Sequence, residues 1–335
     1  MSADGGSAEL KNSDAASAQP LYDMLARIRK PVAMRDIVAL CLRHVLMGDP
    51  FADAPGAAAA PPDARYLQDV HVLQMEIAGV KCAVYKPTQV DELPLPVMFY
   101  MHGGGFVTGS SDDTDYTTRR LCLDCNMVVV SINYPLAPEV VFPGALEACL
   151  TIANEACDYF ADELKVDATR VYLCGDSAGG NLAAAMAQKL AETGKPAEAL
   201  ILLAPWLDMQ VEKYDSYNKL APEGIVYDAA FIGYARGAYI RYEDWCNPLA
   251  SPIHAPPDLL PPTLVLVGTD DPLSDQCRAF ADARQNPKQN AKPPVELVEY
   301  AGMPHCFYAF PGLFAEEEDC YRRIADFVRR HKTGT

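Results

Sequence analysis

The chain reads as an α/β protein, a mostly parallel sheet with helices on both faces, and three features predict it. From Leu95 onward, short apolar segments alternate with longer amphipathic ones. A glycine-rich turn, His102-Gly103-Gly104-Gly105, follows the first of these strands. A second turn, Gly175-Asp176-Ser177-Ala178-Gly179, stands between an apolar strand and a helix-forming run. Alternation of this kind is what crossover helices between parallel strands produce.

Taken in order, the first segment with pattern is helix-like, Leu21 to Met47, followed by an Ala- and Pro-rich linker from Phe51 to Arg65. Two strand-like runs, Asp69 to Ile77 and Lys81 to Tyr85, flank Ala78-Gly79 and predict a hairpin that adds antiparallel strands at one sheet edge. The strands that follow are Val97–Met101, Met127–Ile132, Arg170–Cys174, Ala199–Leu203, Thr263–Val267 and Val295–Tyr300. Helices are expected over Asp113–Cys125, Ala145–Glu163, Ala178–Glu192, Ser274–Arg284 and Ala315–Lys332.

One interval breaks the rhythm. The stretch between Leu203 and Thr263, about 60 residues, holds aromatics from Trp206 to Trp245, Tyr227 and Phe231 among them, and no clear strand. A loop of that length in a compact domain should carry structure of its own, so a helical cap is expected there. The expected division is a flexible tail over residues 1–20, an N-terminal cap helix and linker over 21–65, a catalytic domain over 66–204 and 262–335, and a cap insertion over 205–261.

Composition narrows the function. Of 335 residues, 28 are Lys or Arg and 45 Asp or Glu, a net charge of −17 that repels phosphate backbones and anionic headgroups. Nucleic acid and membrane are therefore not expected as partners. The longest apolar stretches, such as Ala199 to Pro205, fall well short of the roughly 20 residues a membrane span needs. Met1 to Gln19 is rich in Ser, Ala, Asp and Gly and lacks the basic start and apolar run of a signal peptide, so a cytoplasmic location is expected. The 11 cysteines are an odd number and mostly lie in apolar segments (Cys41, Cys149, Cys157, Cys174), where a reducing compartment leaves them as small buried hydrophobes. Cys122-x-x-Cys125 has no second Cys or His pair at ligand spacing, so no metal is expected there.

Gly175–Gly179 fits G-x-S-x-G, a pattern that chance alone supplies about 0.1 times in a chain this long. Its setting adds the information: a sharp strand-to-helix turn strains the serine backbone, lifts the hydroxyl clear of the sheet and sets it at a helix N-terminus. Glycines two residues to either side let the chains pass. This is the nucleophile turn of α/β-hydrolase sheets, with Ser177 as nucleophile.

The turn at His102 can be tested against phosphate binding. G-x-G-x-x-G from Gly103 and Gly105 would need glycine at Thr108, and no P-loop lysine follows. The remaining use is to aim bare amides at an oxyanion: those of Gly104 and Gly105, joined by that of Ala178. His102 is expected to order the loop by hydrogen bonds, not to transfer protons.

In this fold the triad runs Ser, then Asp or Glu, then His along the chain. His44, His71 and His102 precede Ser177, and His254 lies before the strand expected to carry the acid. His331 sits in the basic tail Arg329-Arg330-His331-Lys332, a solvated helix end. His305, in the turn after the last strand, is left as the base. Asp270 and Asp271 both follow the strand Thr263–Val267; Asp271 is the favoured acid and Asp270 the alternative, while Asp275 could cap the next helix.

These residues resemble the hormone-sensitive-lipase-like esterases of the α/β-hydrolase superfamily over Leu95 to His331. The resemblance is carried by His102–Phe106, Tyr134-Pro135-Leu136-Ala137-Pro138-Glu139, Gly175–Leu182, Pro205-Trp206-Leu207-Asp208 and Asp271-Pro272-Leu273. It implies an eight-stranded sheet, a cap from the N-terminus and the insertion, Asp271 as the acid, and ester hydrolysis with no metal or cofactor. Its partners would be small-molecule esters of short to medium acyl chain, with a homodimer as an option. Pro135 stands where the family has Arg and Ala148 where an acid is common, so a structural ion pair is expected to be missing. Cys306 replaces the usual Gly after the base, where its side chain would narrow the pocket or make it oxidation-sensitive. Rival readings are a receptor on the same scaffold, which tends to lose the histidine, and an amidase or deacetylase.

Overall fold

The computed structural model describes residues 64–90, 93–223, 227–285 and 295–332. The tail and the N-terminal cap helix expected from sequence lie outside the described residues, apart from the end of the linker. The described chain opens with a short helix α1 (Arg65–Gln68) and the hairpin β1 (Val70–Ile77) and β2 (Val80–Pro87). Then come β3 (Leu95–Met101), α2 (Asp115–Asp124), β4 (Val128–Ile132), α3 (Gly144–Glu163), β5 (Val166–Asp176), α4 (Ala178–Glu192) and β6 (Ala199–Leu203). After the insertion follow β7 (Thr263–Gly268), α7 (Ser274–Gln285), β8 (Val295–Tyr300) and α8 (Glu316–Arg330).

Among the described residues the strands form one eight-stranded sheet in the order β1-β2-β4-β3-β5-β6-β7-β8. The β1–β2 and β2–β4 pairs are antiparallel and all others parallel. The hairpin expected around Ala78-Gly79 is therefore the antiparallel edge.

Period-two alternation divides the strand residues between two cores. Val97, Phe99 and Met101 of β3 join one face with Val128 and Val130 of β4, Leu146 and Cys149 of α3 and Leu182 of α4. Met98 and Tyr100 point to the other face, with Val129, Leu121 of α2, and Ile324 and Phe327 of α8. With both faces covered, β3, β4, β6 and β7 are buried at every position, which is why they read in sequence as continuous apolar runs. β5 is longer than its apolar segment suggested. Its first half is partly exposed and pairs with β3 across a register shift between Leu95 and Val97.

The interval between β6 and β7 carries two helices, α5 (Asp215–Leu220) and α6 (Ala229–Tyr239), with short turns of 3-10 helix around them. Asp228 starts α6 by accepting the Phe231 amide at 2.7 Å. Asp275 does not cap its own helix α7. It accepts the Ser216 amide at 2.7 Å, while Ser216 Oγ donates to Pro272 O at 2.9 Å, so α5 is tied to the start of α7. At the far end of α6, Phe142 N donates to Tyr239 O at 2.8 Å, joining the insertion to the segment before α3.

No helix among the described residues is long and apolar enough to cross a membrane. The expected small-hydrophobe role of the cysteines fits Cys82, Cys122, Cys149 and Cys174, all buried, whereas Cys246 is exposed.

Phe99 lies at the centre of β3 with 0 % exposure. Phe99→Ala is expected to lower unfolding free energy by about 3–5 kcal/mol, measured by denaturant titration; a loss below about 1 kcal/mol would contradict the packing described.

Candidate active site

Strand order sets the site. β4, the next strand after β3, lies on one side of it, and β5 lies on the other, so the sheet reverses direction there. The loops leaving the carboxyl ends of β3 and β5 diverge at such a point and leave a crevice, the usual ligand position in open α/β sheets. Met101 pairs with Gly175, so the two strands end level, with His102–Gly105 beside Ser177.

Ser177 has φ 53 and ψ −116, a conformation that L residues avoid, and it is 4 % exposed. Its amide donates to Leu203 O at 2.9 Å and its carbonyl accepts from Trp206 N at 2.9 Å, so the end of β6 and the segment that follows it hold the strained residue from both sides. The glycines flanking it are demanded by the close passage of chains. A Cβ on Gly179 would stand 2.0 Å from Met101 O, and one on Gly175 would stand 2.4 Å from Gly179 O.

The glycine turn after β3 has φ +116 at Gly104 and +62 at Gly105. None of the amides of Gly104, Gly105 and Ala178 donates to a backbone acceptor among the described residues. His102 braces the turn. Its Nδ1 lies 2.7 Å from Gly103 O, and since a carbonyl only accepts, Nδ1 carries the proton. The ring stacks on Tyr134 at 4.3 Å, and Tyr134 OH donates to His102 O at 2.7 Å. Burial lowers the imidazole pKa to about 4, which keeps it neutral near pH 7, in keeping with an ordering role.

Asp271 and His305 come from the ends of the neighbouring strands β7 and β8. His305 Nδ1 lies 2.7 Å from Asp271 Oδ2, with Asp271 fully buried and His305 4 % exposed. The second carboxylate oxygen accepts the Leu273 amide at 2.8 Å, which fixes the plane of the carboxylate. Burial opposes a charged His305, but Asp271 outweighs it and raises the imidazole well above its ordinary range. His305 Nε2 is buried and has no hydrogen-bond partner among the described residues. Asp270, the alternative acid, turns away: its Oδ1 accepts from Thr269 Oγ1 at 3.4 Å. His331 caps α8, with Nδ1 2.9 Å from Phe327 O.

Sequence reasoning passed over a buried cluster beneath these groups. Asp176 Oδ1 accepts from Tyr100 OH at 2.5 Å, and Cys306 Sγ lies 4.0 Å from Oδ2. A Cβ on Gly103 would stand 2.2 Å from the same Oδ2. One carboxylate thus touches the glycine turn, the serine turn and the residue after the base. The signal was present, since Asp176 is the second residue of the G-x-S-x-G stretch. Cys306 takes φ 56 and ψ 32, left-handed backbone that favours the glycine usual there. Its thiol is 1 % exposed and accepts from Tyr308 OH at 3.2 Å. Burial pushes the thiol up from its ordinary range, the opposite of an oxidation-prone thiolate.

This constellation has counterparts. Residues 98–309 match the profile of a family described as having the alpha/beta hydrolase fold. The chain belongs to that family. Among its relatives, an acetyl-hydrolase of Streptomyces hygroscopicus is 30% identical over 237 residues, covering 69% of this chain and 75% of the relative. An arylesterase of Saccharolobus solfataricus is 35% identical over 215 residues, covering 62% and 68%. Among solved structures, the hyperthermophilic esterase of Pyrobaculum calidifontis superposes with a TM-score of 0.72 at 27% identity, covering 92% of this chain and 97% of that one. A hormone-sensitive lipase from a metagenome library gives 0.76 at 25%, covering 95% and 98%.

Burial pushes the Asp176 carboxyl up from 3.8 to about 6. The folded state then binds its proton more tightly than the unfolded chain, so the linked stability is present below the ordinary value and lost as pH rises through about 6. Asp176→Asn keeps an acceptor for Tyr100 and removes the titration. Between about pH 4 and pH 7 the variant is expected to lose less stability than wild type, read from denaturant midpoints; parallel curves would contradict a titrating Asp176.

Proposed function

We propose that the chain is a serine carboxylesterase acting on short- to medium-chain acyl esters through an acyl-enzyme. The observation that carries this reading is the 2.7 Å Asp271–His305 contact, which leaves His305 Nε2 buried and without a partner among the described residues, at the same carboxyl edge of the sheet as the strained serine turn. With its pKa raised by Asp271, His305 gives up its proton only above the ordinary histidine range; once neutral, with Nδ1–H held by the carboxylate, it presents a lone pair at Nε2, the arrangement a general base needs.

In the proposed reaction Ser177 Oγ attacks the ester carbonyl carbon while His305 Nε2 takes its proton. The carbonyl electron pair moves onto oxygen, where the amides of Gly104, Gly105 and Ala178 receive the developing charge. Asp271 stabilises the imidazolium. When the intermediate collapses, the bond to the alcohol oxygen breaks and His305 returns the proton to it. Water, deprotonated by His305, then attacks the acyl-enzyme and releases the acid and Ser177. Each of these steps uses groups of the chain and water.

A short acyl chain is supported by the wall over the glycine turn. The place a Cβ on Gly105 would take lies 2.9 Å from Ala235 Cβ and 3.0 Å from Phe231, both on α6. The acetyl-hydrolase among the relatives points the same way. The presence of the His305–Asp271 pair favours turnover over reversible binding, and matched esters and amides separate the esterase from an amidase.

Purified protein is expected to hydrolyse aryl esters of acetate and butyrate, with the rate falling for long chains. Ser177→Ala should lower kcat by about 10⁶-fold. Equal rates for the two proteins would refute the proposal. Asp271→Asn should cost about 10⁴-fold and Asp270→Asn less than about tenfold, both read from kcat at saturating ester; the reverse order would make Asp270 the acid.

A further inference from the structure

Tyr227, in the insertion just before α6, is placed against the base. Its ring meets His305 edge-on, with centroids 5.5 Å apart at 69°, and stacks on Phe231 at 4.5 Å and 20°. Phe231 in turn lies against Gly105, as described above, so the two rings form a wall running from the base to the glycine turn. The Tyr227 hydroxyl is buried and has no hydrogen-bond partner among the described residues.

A buried phenol normally finds a partner, because leaving its O–H unsatisfied is costly. A phenol that lacks one, set against the base of the proposed reaction, has its partner in the substrate. The side of the ester it meets follows from the chemistry. The leaving alcohol oxygen must come to His305 Nε2 to take up its proton, and Tyr227 lies against His305. The atoms next to Tyr227 are therefore those of the alcohol. A phenol gives its hydrogen more readily than it accepts one, since the ring draws on the oxygen lone pair, so the complementary group is an acceptor.

We propose that the Tyr227 hydroxyl is a specificity-determining donor for the alcohol half of the substrate. It selects esters whose alcohol carries an ether, hydroxyl or carbonyl oxygen a few atoms beyond the ester bond. The Tyr227 ring covers the carbon atoms between. This inference rests on the esterase reading and adds the alcohol class to it.

The test uses butyl acetate and methoxyethyl acetate, which differ only by an oxygen in place of a methylene. Wild type is expected to favour the methoxyethyl ester in kcat/KM by about 5- to 10-fold beyond the ratio given by hydroxide alone. Tyr227→Phe keeps the ring stack and should return the ratio to the hydroxide value. A wild-type ratio equal to that of hydroxide overturns the proposal, as does an unchanged preference in Tyr227→Phe. An equal loss on both esters also overturns it, and would make Tyr227 a positioning residue for His305. Ser177→Ala is run beside them. If neither ester shows Ser177-dependent hydrolysis, the esterase reading itself fails, an outcome distinct from a Ser177-dependent rate without alcohol preference.

Discussion

The contact on which the site depends is between backbones. The turn holding Ser177 packs against the end of β3 so closely that a methyl group on Gly179 would overlap Met101 O, 2.0 Å away, and His102 O, 2.5 Å away. With both chains at that distance, the amide after the nucleophile and the amides of the glycine turn share one small space. A donor aimed at the wrong place does little for an oxyanion, so in the proposed reaction the glycines matter as much as the serine. The level ends of β3 and β5 make this approach possible, and that follows from a parallel register in which Met101 faces Gly175.

Charge is arranged around that contact in two layers. In the upper one, Asp271 compensates the burial of His305 and holds its tautomer. In the lower one, Asp176 is buried among Tyr100, Gly103 and Cys306, and burial alone accounts for its raised pKa. The lower carboxylate links the three loops that the reaction would use, from strands β3, β5 and β8. Cys306 fits this layer through its thiol and accepts left-handed backbone in return, a conformation of about 1–2 kcal/mol cost for an L residue. It meets buried Tyr308 and Asp176 and also acts on His305, so the side chain lies beside the base, as sequence placed it, while packing into the core.

Much of this was legible in the sequence, for physical reasons. Buried parallel strands are apolar throughout, so β3, β4, β6 and β7 stood out, and the Ala78-Gly79 turn marked the hairpin. The placement of Ser177, His305 and the acid at strand ends followed from chain order, since catalytic loops lie at the carboxyl edge of such sheets. Two adjacent aspartates could not be told apart by order. The fold separates them by burying Asp271 against His305 and turning Asp270 to Thr269. β5 outran its apolar run because its first half is only partly covered. Tyr134, Asp176 and Tyr227 went unassigned because each acts across 30 residues or more, or through a partner such as Tyr100, His102 or His305, a relation that no spacing reveals.

The central claim is that strain and hydrogen bonding at one turn make a single serine reactive among all those in the chain. The direct measurement is covalent labelling with a p-nitrophenyl dialkyl phosphate, followed by peptide mass analysis. The account predicts one phosphoryl adduct per chain, on the peptide containing Ser177, and its disappearance in His305→Ala. Labelling of another residue, or ester turnover that persists with Ser177 unlabelled, would contradict it.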